Sequence, residues 1–225
     1  MHKKGKELNQ LLDIYEKELC NHIFKYQLNY KIDIEIAFYK ENFCHLLGLQ
    51  HIYGKNRKYL GINGYDKIKK NQLKRSDLKK HNKAEYNKLQ IRLDYFDEIS
   101  DMLENGNFIK FYQYRTKPLS MIVADFVIYQ DKKEYILHLF LRQENSRTNQ
   151  YSPVSFVVKS DKDDNKEQFI VGQEYKKITG FEIIETEAAK QDSNQPTIAV
   201  LFCVIRRKYK KQKLLLDKWI YSRYY

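Results

Sequence analysis

"SMIVADFVIYQDKKEYILHLFLR", Ser120 to Arg142, decides the fold class. Two runs rich in β-branched and aromatic residues flank the turn-forming QDKKE, a pattern that predicts a hairpin of antiparallel strands. Strand alternation within YILHLFLR puts Tyr135, Leu137, Leu139 and Leu141 on one face, and Ile136, His138, Phe140 and Arg142 on the other. The first face is wholly apolar and has to be covered. The second carries an imidazole and a guanidinium.

On either side of this hairpin FIKFYQY, VSFVVK, EQFIV, ITGFEIIE and TIAVLFCVI predict further strands, with SDKDDNKE as a turn. The period upstream is mostly helical. Leu8, Leu11, Leu12, Tyr15, Leu19 and Ile23 predict an amphipathic helix from about Glu7 to Tyr26, and KIDIEIAF a short half-buried strand. A second helix carries Asn42 to Leu49, with Gly48 as its C-terminal signal. Short helices joined by turns follow over 54–83. A longer one, with Leu89, Leu93, Phe96, Ile99 and Leu103 as its stripe, stops at Asn105–Asn107. The expected architecture is α+β, N-terminal helices packed on an antiparallel sheet. We expect one domain over 1–225, with a mainly helical half (1–106), a sheet half (107–205) and a basic C-terminal tail (206–225).

The net charge is +12 and is unevenly spread. Lys55 to Arg92 holds thirteen Lys/Arg against three acids, and Arg206 to Arg223 eight against one. Such asymmetry points to a polyanionic partner, RNA or another nucleic acid, or else to a solvated lysine-rich surface. Lys55, Arg57, Lys58, Lys69, Lys70, Lys74 and Arg75 are the candidate phosphate contacts.

Cys20, Cys44 and Cys203 are odd in number and unrelated in spacing, so neither a disulfide framework nor a CxxC metal set is expected. Charges interrupt the apolar pattern of the N-terminus, and no apolar run approaches a membrane span of about 20 residues. We expect a cytoplasmic protein that needs no cofactor. The chain lacks a glycine-rich phosphate loop, an HExxH motif and a GxSxG elbow, and carboxylates near its histidines are sparse. A two-metal site of clustered carboxylates is therefore poorly supported, and metal-free chemistry remains open. His138 and Arg142 on their strand face, Ser155 on a strand face opposite Val154, Phe156 and Val158, and Lys117 with Arg115 at the start of the long hairpin are candidates for it.

In "FYKENFCHLLGLQHI", Phe38 to Ile52, His45 falls at the edge of an apolar helix face, where an imidazole is both oriented and reachable. Spacing alone favours an ordinary packed histidine there. The stretch, however, resembles the Phe-x-His-Leu-x-Gly signature of the phage-associated Barnase–EndoU–ColicinE5/D–RelE-like nuclease families, most closely the fourth (PBECR4). The order of ADFVIY, YILHLFLR, YSPVSF and GQEYKKI adds to the likeness, which spans roughly Phe38 to Ile184. The resemblance implies a BECR-like metal-independent ribonuclease fold, commonly a toxin of phage or mobile elements, with a neutralising protein as a possible partner. It makes His45 the signature histidine and Ser155 the polar strand residue. Arg142 and Gln173 match polar positions further on.

The chemistry this implies is transesterification of RNA through the ribose 2′-OH. His45 is then acid or base, with His138 or His51 as its complement. Arg142 and Lys117 stabilise charge, and Ser155 donates to phosphate. The competing expectation is a non-catalytic protein of a mobile element that binds nucleic acid or inhibits a host factor.

Overall fold

Tyr15 shows how the two layers come together. It is fully buried, its ring meets Phe38, Phe43 and Phe96, and its hydroxyl donates to the Tyr39 carbonyl at 2.7 Å. The computed structural model describes residues 5–29 and 31–186, all within one compact unit. Helix α1 (Leu8–Tyr15) buries Leu8, Leu11, Leu12 and Tyr15 at the predicted spacing. It does not run on to Tyr26. A π-helical turn (Glu16–Cys20) ends it, and β1 (His22–Leu28) follows with Phe24, Tyr26 and Leu28 buried in alternation. Leu19 and Ile23 suit a helical period, but the alternating residues beyond them find a sheet edge to join.

Strand β2 (Ile32–Ala37) precedes six helices: α2 (Lys40–Leu47), α3 (Leu49–Tyr53), α4 (Gly61–Lys69), α5 (Arg75–His81), α6 (Lys83–Asp94) and α7 (Ile99–Asn105). Then come β3 (Asn107–Lys110), β4 (Phe126–Asp131), β5 (Tyr135–Gln143), β6 (Gln150–Ser160), β7 (Glu174–Lys176) and β8 (Ile178–Glu185). The sheet order is β7-β3-β4-β5-β6-β2-β1-β8. Its pairs are antiparallel except β2 with β6, where Glu35 faces Gln150 and Ile36 faces Tyr151, so the sheet is mixed. Strands β7 and β8 are one nearly continuous segment that pairs with β3 and with β1, which almost closes the sheet on itself. The Tyr26 ring marks this seam, 4.8 Å from Phe108 and 4.9 Å from Phe181.

The helices cover the face bearing Leu137, Leu139 and Leu141, as alternation requires. The opposite face is not an open cleft. Ile109, Phe111, Val127, Phe140 and Phe169 form a second core there. Its cover includes EQFIV, which is a turn and not a strand: the Ile170 and Val171 amides both donate to the Glu167 carbonyl. The expected strand TIAVLFCVI and the basic tail 206–225 lie outside the described residues.

Candidate active site

Helix α2 directs His45 outward because Phe43, Cys44, Leu46 and Leu47 all turn into the core. The Asn42 side chain accepts from the Tyr39 amide at 2.9 Å and fixes the start of the helix. Gly48 ends it in the left-handed region, φ +82°, and α3 starts at the next residue. That reversal presents His51, also exposed, from the neighbouring turn.

Strand β6 meets α2 beside His45. Pro153 has no amide hydrogen for the ladder, and pairing with β5 shifts register there: Phe140 faces Ser155, whereas Leu141 faces Pro153. Val154 is the extra residue of this bulge. Its backbone lies near enough to the His45 ring to favour protonation. Partial removal from water outweighs this and, with the charges of Arg92, His51 and Arg142, lowers the pKa of His45 below its ordinary value. Removal from water also lowers that of His51, followed by Arg92, with Glu85 opposing and Lys88 assisting. Glu85 itself is paired with Lys88 at 2.6 Å.

Arg92 was not singled out from the sequence. It lies on α6, half-buried, and burial pushes its guanidinium down to about 10. Nη1 is sealed from solvent and has no hydrogen-bond partner. A Cβ on Gly48 would stand 2.6 Å from that nitrogen, so the glycine of the signature makes room for it. Arg92 comes against α2 only through the tertiary approach of α6, which no local pattern announces.

Other expected site residues are placed differently. His138 is fully buried in the second core, 5.2 Å from the Phe169 ring, and neither ring nitrogen has a hydrogen-bond partner. Burial pushes its pKa down to about 3, so it is unsuited to exchange protons with a substrate near neutral pH. Ser155 pairs with Phe140 and so stands on the second-core face, on the same side as Val154 and not opposite it, because the bulge breaks the alternation. Gln173 is 8% exposed and spends its amide on the Tyr112 backbone, accepting at 2.7 Å and donating at 3.3 Å. Lys117 is exposed on a loop tied to the second-core cover by Gln168 at Pro118 and by Arg115 at Gly172. Arg142 is exposed, and its charge reaches His45.

Within the basic segment Arg75 is a buried structural residue, bonded to Asp94 at 2.7 Å and to the Leu93 carbonyl at 3.1 Å. It borders a cavity of about 480 Å³ on the face of α6 away from Arg92, with Lys79, Tyr86 and Gln90. Lys69 is paired with Glu16 at 2.7 Å. Lys55, Arg57, Lys58, Lys70 and Lys74 are exposed and form no ion pair among the described residues. No described helix is long and apolar enough to cross a membrane. Among the described residues no three His, Cys, Asp or Glu side chains are grouped to hold a metal ion.

No curated protein and no solved structure gives a significant match to the chain. The family model described as "phage-Barnase-EndoU-ColicinE5/D-RelE like nuclease4" matches residues 7–193, thereby including α1, β1 and the whole of the sheet. With His45, Gly48 and the nearly closed sheet in place, the chain belongs to the PBECR4 family of phage nuclease-like proteins.

Proposed function

We propose that the chain is a metal-independent endoribonuclease acting as a toxin or effector, with His45 at its reacting centre. The observation that carries this reading is an imidazole at the protein surface whose pKa is lowered by partial removal from water and, after that, by nearby cations, so that it is neutral and able to take a proton at pH 7. His45 removes the proton of the ribose 2′-OH. That oxygen attacks the adjacent phosphorus, and the bond from phosphorus to the 5′-oxygen breaks. His51, six residues on and across the Gly48 reversal, gives a proton to the leaving oxygen. The products are a 2′,3′-cyclic phosphate and a 5′-hydroxyl. The negative charge of bound RNA offsets Arg92 and Lys88 and raises the pKa of His51, favouring the protonated form that this step needs.

Arg142 faces the developing charge, and the exposed Lys55, Arg57, Lys58, Lys70 and Lys74 hold flanking phosphates. A cytoplasmic site of action and a neutralising protein partner belong to the same reading. The test is incubation of purified protein with RNA in EDTA, followed by analysis of the ends. Cyclic phosphate ends in the native protein and none with His45→Ala support it. RNA bound but uncut makes the chain a nucleic-acid-binding protein instead.

A further inference from the structure

The described residues include two sheltered arginines on or against α6, and their surroundings differ. Arg75 has Asp94 and the Leu93 carbonyl. Arg92 has neither a carboxylate nor a carbonyl partner among the described residues, and its Nη1 is sealed. A guanidinium taken out of water without a counter-charge is destabilising, which is why such groups are normally paired. Here the chain makes space for one. Gly48 supplies no Cβ where a Cβ would lie 2.6 Å from Nη1 and 3.4 Å from Cζ, and the same glycine takes up the positive φ that turns α2 into α3. Leu89, one turn earlier on α6, is buried against the same glycine, its Cδ2 2.8 Å from where that Cβ would stand. The residue is only half-buried, so the guanidinium sealed at Nη1 remains open elsewhere. Its charge is felt by both His45 and His51.

We propose that Arg92, seated against Gly48 at the turn between the helices that carry His45 and His51, is the fixed binding group for the scissile phosphodiester. This rests on the ribonuclease reading for the identity of the ligand, and on the unpaired guanidinium alone for the presence of an anion site. Bound phosphate supplies the missing counter-charge. The edge of the planar guanidinium away from the sealed Nη1 offers its N–H groups to phosphate oxygens in a fixed orientation, which an ammonium on a flexible chain does not reproduce. Because the group is already oriented, it stabilises the charge that builds on the non-bridging oxygens as the 2′-oxygen adds.

The experiment is a titration of the full chain with inorganic phosphate, followed by the ring signals of His45 and His51 in NMR. It is run beside RNA cleavage for the native protein, Arg92→Gln and Arg92→Lys, with circular dichroism to confirm folding. Expected are saturable ring shifts in the native protein and phosphate binding at least about tenfold weaker in Arg92→Gln. Turnover should fall about 10²- to 10³-fold, the loss seen when one preorganised donor is removed. Arg92→Lys, which keeps the charge and tests the planar guanidinium should the glutamine variant not fold, is expected to recover only part of either. The proposal is overturned if phosphate causes no saturable shift in the native protein, or if a folded Arg92 variant binds phosphate and cuts RNA as the native protein does. Phosphate binding that depends on Arg92 in a protein that cuts no RNA leaves the anion site standing and removes the ribonuclease reading.

Discussion

Replacing His138 by phenylalanine changes the pH dependence of stability in a direction set by where the imidazole sits. The ring is fully enclosed between Phe140 and Phe169, without a hydrogen-bond partner, and burial holds its pKa at about 3 against an ordinary 6.5. Below pH 6.5 the unfolded chain takes up a proton that the folded chain refuses until about pH 3. Stability from keeping this ring neutral is therefore complete above pH 6.5 and is lost as pH falls through that window. The loss is about 1.4 kcal/mol per pH unit once the unfolded histidine is protonated, or about 2 kcal/mol at pH 5 relative to pH 7. With a urea slope of about 2 kcal/mol/M, this moves the unfolding midpoint by about 1 M. Phenylalanine fits the aromatic cluster and removes two unsatisfied nitrogens, so at pH 7 the variant is expected to be at least as stable as the native protein. The assay is urea unfolding of both proteins at pH 7, 6 and 5. The difference in midpoint should grow in favour of the variant by about 1 M on acidification. Parallel curves across that range would refute a buried neutral His138.

His45→Ala should abolish RNA cleavage while leaving the melting temperature within a few degrees, since the side chain is exposed; cleavage unchanged in the folded variant would remove the histidine from the reaction. The acid limb of kcat/KM should fall at a pH below 6.5, because the base must be neutral, and Arg92→Gln should move that limb to higher pH by removing a cation that lowers the His45 pKa. A limb that stays put would show that the charge of Arg92 does not reach His45. Neutralising Lys55, Arg57, Lys58, Lys70 and Lys74 together should flatten the plot of log affinity for single-stranded RNA against log salt by about 0.7 for each phosphate no longer neutralised. Arg75→Gln should leave that slope alone and instead cost on the order of 3 kcal/mol in urea unfolding, because it strands Asp94 in a sheltered site.

Much of the frame was legible because the period of the apolar residues changes from helical to alternating near Phe108. The apolar side of the β5 hairpin is covered by helices as that pattern requires. Three features were not legible, for different reasons. Strand β1 was hidden because Leu19 and Ile23 continue a helical spacing, and its alternation is satisfied only once β2 and β8 lie beside it. The two-sided character of β5 was hidden because His138 reads as polar, whereas Phe140 and a distant turn carrying Phe169 enclose it. In YSPVSF the proline was a usable signal: a proline inside a strand marks an edge or a bulge, and here the bulge overturns any simple count of faces for Ser155. At the site, His45 and Gly48 could be found in one short stretch. Arg92, more than forty residues on, depends on the packing of α6 and has no local signature.

The seam of the sheet bears on the order in which a growing chain becomes protein. Strand β1 ends at Leu28, yet its outer neighbour β8 does not start until Ile178, and β3 likewise waits for β7 at Glu174. A nascent chain that has emerged through β6 already contains His45, Arg92 and Arg142, but its β1 and β3 still present rows of unpaired amides and carbonyls. Such long-range closure is slow relative to the formation of local hairpins and helices. Shortened products ending before Glu174 should therefore be captured by chaperones or aggregate through those open edges, and competence to fold waits for β7 and β8.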